Sequence, residues 1–173
     1  MGEKGKVFAF EALPVNLERL CLNLEASGLA SRVEVVAGAV VERPRAVQFL
    51  VGPSGGMGKA DGSAGRQNVD YQQAIDVTGI SLDQFVYGDG HSAPQVVKMD
   101  IEGGEVLALP GMQRLLMEAK PLLLLEMHGP EAARVSWEAL LSAGYQICRM
   151  QPGYPTIPRL EDLDWKAYLV GTP

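Results

Sequence analysis

Residues 7–37 read VFAFEALPVNLERLCLNLEASGLASRVEVVA, and this stretch decides the fold. Val7 to Phe10 is a short apolar run ending at Glu11, the pattern of a buried strand. Pro14 then fits the first turn of a helix. Within that helix Leu13, Leu17, Leu20, Cys21 and Leu24 share one face at helical spacing, and Glu18, Arg19 and Glu25 fall elsewhere. Gly28 supplies the left-handed stop, with Leu29 placed for the hydrophobic contact that follows it. Val33 to Ala37 is a second strand, with Val33, Val35 and Val36 apolar. Strand, helix, strand in that order favours a parallel sheet with helices on its faces.

Working outward, Ala46 to Val51 is expected to be a strand. The segment after it is of different character: Gly52, Gly55, Gly56, Gly58, Gly62 and Gly65 puncture it, and polar residues fill the gaps. A loop of this length in a compact domain is either a flap near a site or a plain surface excursion. Ser81 and Gln84 form a capping-box pair for a short helix through Phe85, and Tyr87 to Pro94 is again loop. Val96 to Met99 is a strand ending at Asp100, and Gly103-Gly104 permits a tight turn. The helix from Glu105 is interrupted at Pro110-Gly111 and restarts with Met112, Leu115 and Leu116 inward. Leu122 to Met127 is apolar nearly throughout, which predicts a central strand covered on both faces. Pro130 opens a helix with Ala133, Trp137, Leu140 and Leu141 facing in, stopped by Gly144. Strands at Tyr145–Met150 and near Tyr168–Val170 complete a single domain over residues 1–173.

Bulk properties exclude several classes. The chain has 173 residues, 47% hydrophobic and 21% charged, an ordinary globular balance. Fifteen basic against 21 acidic residues give a net charge of −6, with no electrostatic footprint for nucleic acid or for an anionic membrane. The longest apolar run, Leu122 to Leu125, is too short to span a bilayer, and no apolar signal segment follows the charged start, so the expected location is cytoplasmic. Cys21 and Cys148 are far apart without metal-ligand spacing and read as reduced, core or near-core thiols.

Ligands in open parallel sheets bind at the carboxyl ends of strands. Three strands here end in ionisable groups: the first at Glu11, another at Asp100 with Glu102 and Glu105 behind it, and a third at Glu126-Met127-His128. Glu11 suits a ribose diol, or else simply favours the helix N-terminus that follows. Three carboxylates within six residues exceed what helix capping needs. His128, at the rim and before Gly129-Pro130, is either a helix-entry residue or a general base. Popular motifs fail. Pro53 to Lys59 resembles a phosphate loop, but Pro53 replaces its first glycine and Ala60 its hydroxyl. There is no GxGxxG after a strand, no GxSxG elbow and no CxxC or HExxH.

Five segments together resemble the FkbM-type methyltransferase family. Val7-Phe8-Ala9-Phe10-Glu11 with Pro14, Asn16, Asn23 and Gly28-Leu29 is similar to its second strand and helix, and Val36-Ala37-Gly38-Ala39-Val40 to its third strand and turn. Ser81-Leu82-Asp83-Gln84-Phe85 resembles its Thr-Leu-Asp segment. Lys98-Met99-Asp100-Ile101-Glu102-Gly103-Gly104-Glu105 resembles its Lys-Ile-Asp-Val-Glu-Gly-x-Glu motif, and Leu125-Glu126-Met127-His128-Gly129 its fifth-strand ending. The likeness covers about residues 6–150, and the order and spacing of the segments make it stronger than any one of them.

The resemblance implies a Rossmann-like class I methyltransferase fold, mostly parallel with helices on both faces, using S-adenosylmethionine to methylate a hydroxyl on a sugar, glycan or natural-product-like acceptor. By position Glu11 would hold the cofactor ribose, with Ala12 also among the cofactor-binding residues, Gly38 and Ala39 would border the adenine, and Asp100 would lie near the methionine end. Glu102 and His128 would face the acceptor, with His128 the first candidate base and Glu102 the second. No metal is assigned, although a hard cation would suit the carboxylates and an alkoxide. The family's first strand and its Asp-x-Gly-x-x-x-Gly turn are missing, and Gly2-Glu3-Lys4-Gly5 looks like the tail of the helix that follows that turn. The missing strand belongs between those at Val7 and Val96, so the expectation is a gapped sheet with unpaired backbone groups. Ala12 replaces the family's proline. Two other classes stay open: a non-catalytic binding module or relic, and a nicotinamide-dependent oxidoreductase.

Overall fold

The computed structural model describes residues 2, 5–53, 57–65, 68–163 and 168–173. Glu3 and Lys4 of the expected helix tail, and Gly55 and Gly56 of the glycine-rich segment, lie outside them. Strand β1 (Val7–Glu11) leads into helix α1 (Pro14–Ala26), and β2 (Val33–Ala37) pairs parallel to β1 from Val7↔Val33 to Glu11↔Ala37. Gly28, at φ +66°, turns the chain after α1 as its position predicts. The opening strand, helix and strand are as the sequence requires.

The rest departs from a single parallel sheet. Among the described residues the strands fall into three sheets. The short β3 (Ala39–Val40) pairs parallel with β6 (Gln73–Ile80), while β4 (Arg45–Val51) pairs antiparallel with both β6 and β5 (Gly58–Ala60). Strand β6 falls where the sequence reading expects none, although Ile75 and Val77 alternate with Asp76 and Thr78 at strand period. The third sheet has the order β7 (Val96–Met99), β8 (Leu122–Glu126), β10 (Tyr168–Thr172), β9 (Gln146–Arg149). Only its β7–β8 pair is parallel; β10 runs antiparallel to both neighbours. The fold is therefore mixed α/β. Among the described residues β1 pairs with β2 and β7 with β8, and β1 and β7 do not pair with each other.

The main core sits around β8. Leu123, Leu125 and Met127 are buried, and Met112, Leu115 and Leu116 pack against them. These come from a chain of three short helical pieces: α2 (Glu105–Ala108), a 3-10 turn (Leu109–Met112) through Pro110-Gly111, and α3 (Gln113–Glu118). Asp83, 30 residues upstream, holds the restart. Its carboxylate accepts the backbone N–H of Arg114 (2.9 Å) and Leu115 (2.8 Å), donors that the start of α3 leaves unpaired. Ser81 makes half of the expected capping box: its hydroxyl accepts the Gln84 N–H at 3.4 Å and donates to Gly111 O, while the Gln84 side chain turns to Asp89.

Four burial expectations need correction. Leu122 and Leu124 are only half-buried, so β8 has one sealed face rather than two. In α4 (Pro130–Ser142) Leu141 points outward, and Ser136 and Ala139 take the inner face beside Ala133 and Leu140. Cys21 is exposed rather than near the core, and Cys148 alone is buried. Helix α1 buries none of its residues fully, its leucines being at best partly buried. No described helix is long and apolar enough to cross a membrane.

Candidate active site

Two rims of the molecule supply the site. On the first, parallel pairing aligns the ends of β1 and β2, and the Gly38 N–H donates to Glu11 O at 2.9 Å. A side chain at residue 38 would place Cβ 2.5 Å from Thr78 O, so only glycine lets the turn after β2 pass this close to β6. Glu11 Oε1 accepts the N–H groups of Ala12 and Leu13, both at 2.8 Å, and Oε2 accepts from Asn16 Nδ2 at 3.3 Å. The carboxylate thus serves the entry of α1 while also facing open space.

On the second rim, the register Met99↔Leu125 sets the ends of β7 and β8 side by side, which brings Asp100 beside Glu126. After Asp100 the chain reverses through Glu102 (φ +53°) and Gly103 (φ +90°), closed by Gly104 N–H to Ile101 O at 2.9 Å. A non-glycine residue held at positive φ is locally strained. The reversal delivers Glu105 to the first position of α2 with no exposed surface. After β8, Met127 is buried and His128 turns back over the reversal. Its Nδ1 lies 3.3 Å from Glu105 Oε1, and its Nε2 lies 3.7 Å from Asp100 Oδ1, 3.7 Å from Glu126 Oε1 and 3.9 Å from Glu102 Oε2. Burial pushes the Glu105 carboxyl above the ordinary glutamate range, offset in part by its own backbone amide and by His128. Tyr168, opposite Glu126 across β10–β8, hydrogen-bonds Glu126. That bond, the Glu126 charge, burial and Asp100 raise its phenol pKa.

The two rims enclose one cavity of about 300 Å³. Glu11, Ala12, Gly38, Ala39, Asp100 and Glu102 all line it, beside the apolar walls of Phe10, Leu13, Val40 and Phe49. His128 is not a wall residue; it stands against Asp100 and Glu102, which are. The glycine-rich segment closes the remaining side with Met57, Gly58, Ala60 and Ser63. It is anchored by the Ala64 N–H, which donates to Gly103 O at 2.9 Å. A second cavity of about 390 Å³ lies against the first, sharing Ser63 and lined by Lys59, Tyr71 and Glu131 among others. Sequence reading places Glu105 in the acidic cluster but gives it no partner, because a contact across 23 residues has no local signature. It misses Tyr168 for the same reason.

Comparison with known proteins bears on what this arrangement is. The chain is similar to methyltransferase FkbM from Methylobacillus flagellatus KT, with TM-score 0.61 and 22% identity over 96% of this chain and 36% of that one. It is also similar to precorrin-6y C5,15-methyltransferase from Geobacter metallireducens GS-15, with TM-score 0.50 and 13% identity over 98% and 67% of the two chains. At these identities the likeness is one of fold. The chain spans about a third of the length of the FkbM structure. No curated protein matches it at a significant level. The family model for the methyltransferase FkbM domain matches residues 1–147. This chain belongs to the FkbM methyltransferase domain family.

Proposed function

We propose that this domain binds S-adenosylmethionine in the 300 Å³ cavity and transfers its methyl group to a hydroxyl of a sugar or natural-product-like acceptor. One observation carries the reading: Glu11, Ala12, Gly38, Ala39 and Asp100, drawn from three strand ends far apart in sequence, wall a single cavity with Glu102 at its edge. The residues fit the group. Glu11 sets a carboxylate against the cavity for a ribose diol. Gly38 keeps backbone close, and Phe10, Leu13 and Val40 give apolar surface for a planar base. When bound, the cofactor supplies an electrophilic methyl on a sulfonium.

This chain's residues then have two tasks. The first is alignment, holding the acceptor oxygen in line with the methyl. The second is to take the hydroxyl proton. His128 suits that task because its Nδ1 stands 3.3 Å from Oε1 of the buried Glu105; with the ring proton held on that side, the Nε2 lone pair is left for the hydroxyl proton. The adjoining cavity, whose wall includes Lys59, Ser63 and Tyr71, gives the acceptor polar and aromatic contacts.

The direct test is calorimetry of S-adenosylhomocysteine with this chain. Saturable binding is expected. Absence of heat at millimolar ligand would leave a non-catalytic module as the better account. With an acceptor in hand, His128→Ala should lower turnover about a hundred-fold or more while sparing cofactor affinity. A fully active variant would disqualify His128 as the base.

A further inference from the structure

We propose that Asp100, Glu126 and His128 bind a divalent transition-metal cation at the carboxyl ends of β7 and β8. One oxygen from each carboxylate and one imidazole nitrogen lie within 4.8 Å of one another. The separations from His128 Nε2 to Asp100 Oδ1 and to Glu126 Oε1 are both 3.7 Å. That is too long for a hydrogen bond. It is the spacing of donors that share one ion, since two ligands each about 2.1 Å from a metal sit at most about 4.2 Å apart. The supports are rigid, because two adjacent strands in register hold the carboxylates and Met127, fully buried, fixes the residue between Glu126 and His128.

A second feature points to the same place. Glu105 has no exposed surface, and its carboxylate is aimed at the triangle: Oε1 meets His128 Nδ1 at 3.3 Å, and Oε2 has no hydrogen-bond partner among the described residues. Burying a carboxylate behind an imidazole in this way fixes the ring and makes its far nitrogen a better ligand, the outer-shell arrangement that metal-binding histidines use. The site also gathers the carboxylates of Asp100, Glu102, Glu105 and Glu126. Against them the described residues set His128 and the largely exposed Lys98, whose Nζ lies 3.3 Å from Asp100 Oδ2. A bound cation offsets that excess. One nitrogen and two oxygens suit Mn²⁺, Fe²⁺, Co²⁺ or Zn²⁺ better than Ca²⁺; three protein ligands leave open positions, and one of the three, Asp100, stands on the cavity wall.

The proposal departs from the expectation of no metal, and it reassigns the base. With Nε2 on the ion His128 has no lone pair for a proton. Glu102, at 3.9 Å, becomes the acceptor of the hydroxyl proton. The two candidate bases then belong to two states of the site, metal-free and metal-loaded.

The inference shares residues with the methyl-transfer reading but is tested without it. Mn²⁺ is titrated into the full chain with no cofactor present, and free Mn²⁺ is followed by electron paramagnetic resonance. One ion per chain is expected, with imidazole nitrogen coupling in the pulsed spectrum. Asp100→Asn and His128→Gln should each weaken binding at least about tenfold, and Glu105→Gln by about ten- to hundred-fold through the ring it holds. Glu138→Gln, a surface carboxylate, should leave binding unchanged. Circular dichroism melts confirm that each variant folds. No binding at millimolar Mn²⁺, or binding indifferent to both Asp100→Asn and His128→Gln, overturns the proposal. Calorimetry with S-adenosylhomocysteine on the same preparation separates the two readings. Mn²⁺ uptake without nucleoside binding leaves the cation site standing and removes methyl transfer; the reverse does the opposite.

Discussion

Helices α1 and α4 both have 13 residues and both open on a proline, yet α4 buries Ala132, Ala133, Ser136, Ala139 and Leu140 while α1 buries none. The strands beneath them differ in the same way. Leu123 and Leu125 of β8 are sealed, whereas β1 has no fully buried residue and Val96 of β7, which among the described residues pairs with β8 alone, is 51% exposed. The β1–α1–β2 unit is held by backbone pairing and by Phe8 and Phe10, whose rings meet Phe85 edge-on at 5.1 and 5.2 Å. The candidate site joins these unequal halves: Glu11, Ala12, Gly38 and Ala39 stand on or beside the loosely packed unit, Asp100, Glu102 and His128 on the well-packed one. Geometry at the second rim is therefore fixed before any ligand arrives, while the first rim has the fewer apolar contacts to hold its place.

The largest expected effect tests the packed half. Leu123→Ala should lower unfolding free energy by about 2–5 kcal/mol, because a fully buried leucine leaves a cavity that β8 and the helices around it cannot close. Urea denaturation checks this, and a loss under about 1 kcal/mol would mean the core is less tightly packed than its burial indicates. Next comes the joint between the halves. Gly103 sits at φ +90°, and a Cβ there would lie 2.0 Å from Gly65 N. Gly103→Ala should cost about 1–3 kcal/mol in backbone strain and push the glycine-rich segment off the rim, weakening nucleoside binding as well. Unchanged stability and affinity together would show that this segment does not close the site. Then Glu11→Ala should weaken S-adenosylhomocysteine binding by about 1–3 kcal/mol if its paired hydrogen bonds form. Unchanged affinity in calorimetry would confine Glu11 to the entry of α1.

The same contrast explains what could be read from the sequence. Strands β1, β2, β7 and β8 and the broken helix at Pro110-Gly111 were legible, because each carries its own period or punctuation. The ionisable strand ends were legible too, since Glu11, Asp100 and His128 each follow an apolar run. Apart from β6, which carries its own alternation, what escaped is set by distance along the chain: the antiparallel insertion of β10 beside β8, the Asp83 carboxylate on the start of α3, and Glu105 behind His128. The leucine stripe of α1 misled in another way. Its spacing announces a face to be buried but not how fully a neighbour covers it, and Leu17, Leu20 and Leu24 end only partly buried.

The smallest effect therefore discriminates best. Leu20→Ala in α1 should cost only about 1 kcal/mol, near the level of a surface change, because the leucine is only partly buried in the folded state. The same substitution should be felt more strongly in local opening than in global unfolding. Amides of β1, α1 and β2 should exchange faster than those of β8 in the unaltered chain, and Leu20→Ala should widen that difference. Saturating S-adenosylhomocysteine should narrow it again, since a ligand gripping both rims stabilises the half with the lower opening free energy. Uniform exchange across the two halves, or protection gained only around β8, would mean that the unit bearing Glu11 and Gly38 opens and closes together with the rest, and that the difference in burial between α1 and α4 has no energetic counterpart.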